Sequence, residues 1–150
     1  MRGEYWNSAD IKLRKLDADK ILKQVKEEVF KLSGVTCAIV FGSFARGNYS
    51  GTSDVDLLLI IKENIPIDAR YRKYNRIRAD TDVQVIILTL DEVLQRLHQG
   101  DTFILEIITT RFPVKGGKIF EKLKKISEKV IRKYGLKRTE IGWIRKNTRE

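Results

Sequence analysis

The sequence predicts an α/β (α+β) fold, a small mixed β-sheet with helices packed against it, and three observations carry that expectation. Three short runs rich in aliphatic and β-branched residues, Val35–Phe41, Asp54–Ile61 and Thr81–Thr89, read as strands. Segments with apolar residues at helical spacing separate and flank them. The chain has 150 residues, 42% hydrophobic and 33% charged, which suits one globular domain with its own core and leaves no room for a second. We therefore expect a single domain over residues 1–150, with a basic C-terminal helix and tail from about 118 to 150.

Taken in order, Asp17 can cap a helix running to about Leu32, with Ile21, Leu22, Val25, Val29 and Leu32 on one stripe and Ser33-Gly34 as its end. Val35–Phe41 follows as a strand apolar enough to be buried on both faces. Gly42-Ser43 breaks it, and the stretch from Phe44 to Ser53 has the composition of a loop before Asp54–Ile61 resumes as a strand. After Pro66, Ile67, Tyr71, Tyr74 and Ile77 fall at helical spacing among arginines. Their place on the apolar stripe favours core packing of the two tyrosines over a nucleic-acid stacking platform. A third strand, Thr81–Thr89, leads to a helix opening near Asp91-Glu92 and closing at Gly100, and Asp101 begins another short one. The last long helix runs from about Lys118 to Tyr134, stopped by Gly135, and Leu136–Glu150 reads as a basic extension that Trp143, Ile141 and Ile144 anchor on this chain or on a partner.

Composition excludes several classes. The longest apolar run, Leu57–Ile61, is far short of the roughly 20 residues that cross a bilayer, so no membrane association is expected. The N-terminus has no apolar core followed by a small-residue cleavage site, and the single Cys37 has no internal disulfide partner; both suit a cytoplasmic protein. Of the net charge of +10, residues 115–150 carry +9, from thirteen Lys/Arg against four Asp/Glu. That segment is either a cationic surface for RNA or another polyanion or the solvated face of an amphipathic helix.

The chemistry concentrates between Phe41 and Leu57. A Gly-Ser at the end of a buried strand, Gly42-Ser43, offers backbone N–H groups and a hydroxyl to phosphate oxygens, and glycine permits the close approach. Asp54 and Asp56 are two apart in a strand, so both carboxylates lie on one face while Val55 and Leu57 turn inward. Paired carboxylates beside substrate phosphates suit magnesium, and two such ions can activate an attacking hydroxyl and steady a leaving pyrophosphate. Arg46 could reach triphosphate oxygens, though a solvated loop arginine is an equal reading. His98, the only histidine, reads as a solvated or capping residue, and neither a zinc spacing nor a Walker A sequence is present.

Phe41-Gly42-Ser43 and Asp54-Val55-Asp56-Leu57, with Ala45-Arg46-Gly47 and Ser53 between them, resemble the nucleotidyltransferase superfamily that includes DNA polymerase β, most closely its minimal members. The resemblance is specific over residues 41–57, looser from Thr81 to Phe120, and does not cover residues 1–16 or 135–150. It implies a Mg2+-dependent, two-metal transferase that moves a nucleoside monophosphate, AMP from ATP, to a hydroxyl acceptor. Gly42, Ser43, Arg46 and Ser53 would bind the nucleotide, and Asp54 and Asp56 would hold the metals. The family adds a third carboxylate on a neighbouring strand, for which Asp82 is the candidate. Gln84 is the rival, because Val83-Gln84-Val85 has the hydrophobic flanks that the family's acid has. Minimal members are often paired with a helical HEPN protein as the antitoxin that nucleotidylates it, so a HEPN-type protein or RNA is the expected partner. A catalytically weak nucleotide-binding, RNA-binding or neutralising module with the same fold is the alternative.

Overall fold

The computed structural model describes residues 8–45 and 54–146, without the side chains of residues 8–16 and 43. Among the described residues six helices and six strands follow in the order α1 (Ser8–Phe30), β1 (Val35–Phe41), α2 (Gly42–Ala45), β2 (Val55–Ile61), α3 (Ile67–Tyr74), β3 (Val83–Thr89), α4 (Leu90–His98), α5 (Thr102–Thr110), β4 (Phe112–Lys115), α6 (Gly117–Tyr134), β5 (Leu136–Thr139) and β6 (Gly142–Arg145). The main sheet has the order β3-β2-β1-β4. β1 pairs antiparallel with both β2 and β4, whereas β2 and β3 are parallel and joined through α3.

Both faces of this sheet are covered, which is why β1 and β2 read as nearly continuous apolar runs. On one face Ala38, Val40, Val55, Leu57, Leu59 and Ile61 pack with Ile21, Val25 and Val29 of α1 and with Tyr74 and Ile77. On the other, Cys37, Ile39, Leu58 and Ile60 meet α4, α5 and α6 through Val93, Leu97, Ile104, Ile108, Phe120 and Leu123. The tyrosines are core residues: Tyr74 is buried and Tyr71 packs against the first cluster. No helix among the described residues is long and apolar enough to cross a membrane.

Local chemistry sets the helix ends. Thr89 caps α4 in a reciprocal box, its hydroxyl accepting from the Glu92 N–H while the Glu92 side chain accepts from the Thr89 N–H. The Asp101 carboxylate accepts from the N–H groups of Phe103 and Ile104 and starts α5. Gly135, with φ 61°, ends α6. The first helix starts at Ser8, so Asp17 lies inside it rather than at its cap: nothing from Ser8 to Leu16 is Gly or Pro, and the helix runs on through it. Ile77 lies beyond α3, yet its side chain remains buried.

Two polar networks brace the frame. Arg70, 4% exposed, donates to the carbonyls of Ile65 (2.8 Å) and Ile87 (3.3 Å) and to both carboxylate oxygens of Glu92 (2.6 and 3.1 Å). It thereby ties α3 to β3 and α4. Glu106 of α5 accepts from Arg138 at 2.8 and 2.9 Å and from the Trp143 indole N–H at 3.0 Å, with Arg111 at 3.6 Å. Residues 136–145 are therefore a hairpin pinned to α5 on this chain, where a basic extension is expected from composition. The mixed polar and apolar sequence hides the strands because their pairing faces the second core through only Leu136 and Trp143.

Candidate active site at the edge of the sheet

β1 ends at Phe41, and the chain turns at Gly42 with φ +78°, a conformation open to glycine at little cost. The first turn of α2 occupies what composition reads as the start of a loop. In the antiparallel ladder Phe41 pairs with Asp56, so the Gly-Ser turn and the acidic pair meet at one end of the sheet. A Cβ on Gly42 would land on Asp56 Oδ2. The absent side chain is what lets the backbone turn lie against that carboxylate.

Asp54 immediately precedes β2 and Asp56 is its second residue; both are half-buried, while Val55 and Leu57 between and beyond them are fully buried on the opposite face. The period of two thus presents both carboxylates on the face that carries Phe41, Leu58 and Gln84. Phe41 makes an edge-to-face contact with Phe103 of α5, with ring centroids 5.6 Å apart and planes at 87°, and this aromatic pair walls the site beside Asp56.

The parallel ladder decides how the acidic strand faces its neighbour. Val55 pairs with Val83 and Asp56 with Gln84, so the position beside Asp56 belongs to Gln84 and not to Asp82. Gln84 Nε2 donates to Asp54 Oδ2 at 2.7 Å. Asp82 lies one residue outside β3; its side chain is exposed and its carbonyl accepts from the Val55 N–H at 2.9 Å. Among the described residues no three His, Cys, Asp or Glu side chains converge as a metal-binding group. Asp82 and Gln84 share one strand face, one pair apart along it.

The donor set fits a divalent cation at Asp54 and Asp56. Both are hard oxygen ligands, and the glycine beside Asp56 clears the space that a side chain would fill. Gly42 stands at this site through its backbone, and the Ser43 backbone follows it in α2. Arg46 and Ser53 lie outside the described residues. His98 is exposed at the end of α4, and its carbonyl accepts from the Tyr134 hydroxyl. Sequence reasoning missed the Gln84–Asp54 hydrogen bond and the Phe41–Phe103 wall; the alternation Val83-Gln84-Val85 was the signal for the first.

The match to known proteins follows this geometry. A model of the nucleotidyltransferase domain matches residues 22–139, well over half of the chain. A Methanocaldococcus jannaschii protein, provisionally named a protein adenylyltransferase, is 43% identical over 46 residues, which cover 29% of this chain and 46% of that one. The chain thus matches less than half the length of that relative. Among solved structures, a provisionally named nucleotidyltransferase from Sulfolobus solfataricus is 28% identical over 61% of this chain and 82% of that one, with a TM-score of 0.46. A toxin-antitoxin structure with AMP-PNP is 18% identical, with 73% and 86% covered and a TM-score of 0.49. A tri-AMPylated HEPN toxin of Shewanella oneidensis in complex with its MNT antitoxin is 18% identical, with 81% and 86% covered and a TM-score of 0.43. The assignment is carried by the family model, whose span includes the Gly42 turn, both aspartates and Gln84: the chain belongs to the nucleotidyltransferase domain family.

Proposed function

We propose that this protein is a magnesium-dependent nucleotidyltransferase that moves AMP from ATP to a hydroxyl group on a protein partner. The observation that supports this most is the pair Asp54 and Asp56 on one strand face, against a Gly42 turn that only a glycine can make so closely. In this reading Asp54 and Asp56 hold the cation, which when bound neutralises the triphosphate and polarises the reacting phosphoryl group. Backbone N–H groups at Gly42 and Ser43 face phosphate oxygens. The Ser43 hydroxyl, Arg46 and Ser53 complete the nucleotide contacts by their place in the motif. An acceptor oxygen forms a bond to the α-phosphorus, the bond to the bridging oxygen breaks, pyrophosphate leaves, and the hydroxyl proton is released. Asp82, exposed and one pair from Gln84, is left out of the metal set.

A protein acceptor is favoured by the relative from M. jannaschii, whose name gives it that activity. The resemblance to minimal members supports a HEPN-type toxin as the class of partner, and in this reading the chain is its antitoxin in the cytoplasm. A second reading, binding without turnover, draws on Gln84 standing where a carboxylate would serve as base. The experiment is label transfer from α-phosphate-labelled ATP in magnesium to host extract, with Asp54→Ala/Asp56→Ala as control and separate digestion by protease and ribonuclease. Protease-sensitive label that needs both aspartates supports the transferase. Ribonuclease-sensitive label would move the acceptor to RNA and give α6 and its lysines the role of its binding face. No label with any of the four nucleotides, despite MgATP binding, would establish the binding module.

A further inference from the structure

The sheet edge that carries Asp54 and Asp56 has one more polar position on the same face, and a neutral side chain holds it. Gln84 pairs in register with Asp56, so the two extend side by side. Its amide reaches across to Asp54, Nε2 to Oδ2, at 2.7 Å. An ionised carboxylate only accepts hydrogen bonds, so the nitrogen is the atom that faces it, and a nitrogen bearing two hydrogens offers nothing to a cation. Asp54 is thereby held in place with Oδ2 engaged, and Oδ1 is left to ligate.

We infer that Gln84 makes this a one-cation site: Asp54 and Asp56 seat a single divalent cation, and Gln84 occupies with a neutral hydrogen-bond donor the position from which a carboxylate would have to hold a second. The inference rests on the reading that Asp54 and Asp56 hold a metal at all. Charge decides the count. Two carboxylates balance one divalent cation, whereas paired catalytic cations sit about 3.5–4 Å apart and repel strongly unless anionic ligands bridge them. Among the described residues no third Asp, Glu, His or Cys converges with the pair. Gln84 is thus a positioning residue for Asp54 and the determinant of metal number.

Gln84 is exposed and glutamate has the same shape, so Gln84→Glu supplies the missing charge without repacking the core. The test is Mn2+ titration of the full chain, saturated with an ATP analogue blocked at the α,β bridge. Ions per chain are counted by equilibrium dialysis, and paramagnetic resonance reports whether the Mn2+ ions are isolated or exchange-coupled. Wild type and Gln84→Ala should each retain one isolated ion beyond the count in Asp54→Ala/Asp56→Ala. Gln84→Glu should retain two that are coupled. Two coupled ions in wild type, or one in Gln84→Glu, overturns the inference and leaves the two-aspartate seat standing. A wild-type count equal to that of the double alanine variant sinks the seat itself and the inference with it.

Discussion

Gly42→Ala tests the link between the strand turn and the carboxylate. The substitution places a methyl group on a backbone with φ +78°, where a residue with a Cβ costs about 1–2 kcal/mol, and that methyl falls on Asp56 Oδ2. For a chain of this length each kcal/mol moves Tm by roughly 2–4 °C, so calorimetry should show a fall of about 2–8 °C with the fold intact. The larger effect is local. Asp56 must swing away from the added methyl, and a displacement of about 1 Å at a reacting centre costs about 100-fold, so nucleotidyl transfer should fall by that order and, with the proposed cation seat at Asp54 and Asp56, Mn2+ affinity at least about tenfold. Gly117→Ala is the matched control, because no atom lies within 4 Å of the added Cβ, its φ is not positive, and alanine favours the helix there by roughly 0.5–1 kcal/mol. Wild-type metal affinity and transfer rate in Gly42→Ala would refute the idea that the close approach of Gly42 sets the position of Asp56.

Three further outcomes follow from the frame. Arg70→Ala removes a buried cation with three sets of partners and leaves the Glu92 carboxylate without its main one, so denaturant unfolding should show a loss of roughly 3 kcal/mol; Arg70→Met with Glu92→Gln should recover much of it. The Glu106 carboxyl is held down at about 2, first by Arg138 and then by Trp143 and Arg111 against the opposing effect of burial. Because that value is depressed, its stabilisation is complete above the ordinary carboxylate range and drains away between about pH 4.5 and pH 2. Wild type should exceed Glu106→Gln by about 1–2 kcal/mol at pH 7, and the gap should close across that window when unfolding is measured at successive pH values. The Cys37 thiol is fully buried and pushed up to about 12 by desolvation, so a thiol reagent at pH 8 should leave the native protein untouched and label one group per chain in denaturant.

The central strands and most helices were legible because their own residues carry the signal. Val35–Phe41 coincides with β1, since a run buried on both faces needs no knowledge of its neighbours to be recognised. Asp101 and Gly135 marked helix ends through local hydrogen bonding and backbone freedom, which are also properties of short segments. β4 was not legible: four residues including Pro113 at the sheet edge carry too little pattern, and only pairing with β1 makes them a strand. The 136–145 hairpin escaped for a related reason, since its stability comes from Glu106, about thirty residues away in sequence. At the site, Asp54 and Asp56 could be placed on one face from spacing alone. Choosing between Asp82 and Gln84 required the register of β2 on β3, which depends on how two strands separated by α3 pair and is not a property of either segment alone.

The pairing of Phe41 with Asp56 also bears on how much change this enzyme family can absorb. The ladder between β1 and β2, and not the chain that joins them, sets the spacing from the glycine turn to the carboxylates. Residues can be added or lost between Ala45 and Asp54 with Gly42, Asp54 and Asp56 left where they are, since closing a longer connection costs only about a tenth of a kcal/mol per added residue. A single residue inserted between Asp56 and Leu57 is a different event: the ladder would either shed Asp54 and Asp56 from their face or turn Leu58 and Ile60 out of the core. Variation in length should therefore collect in the connection, and the strand that follows it should keep its count.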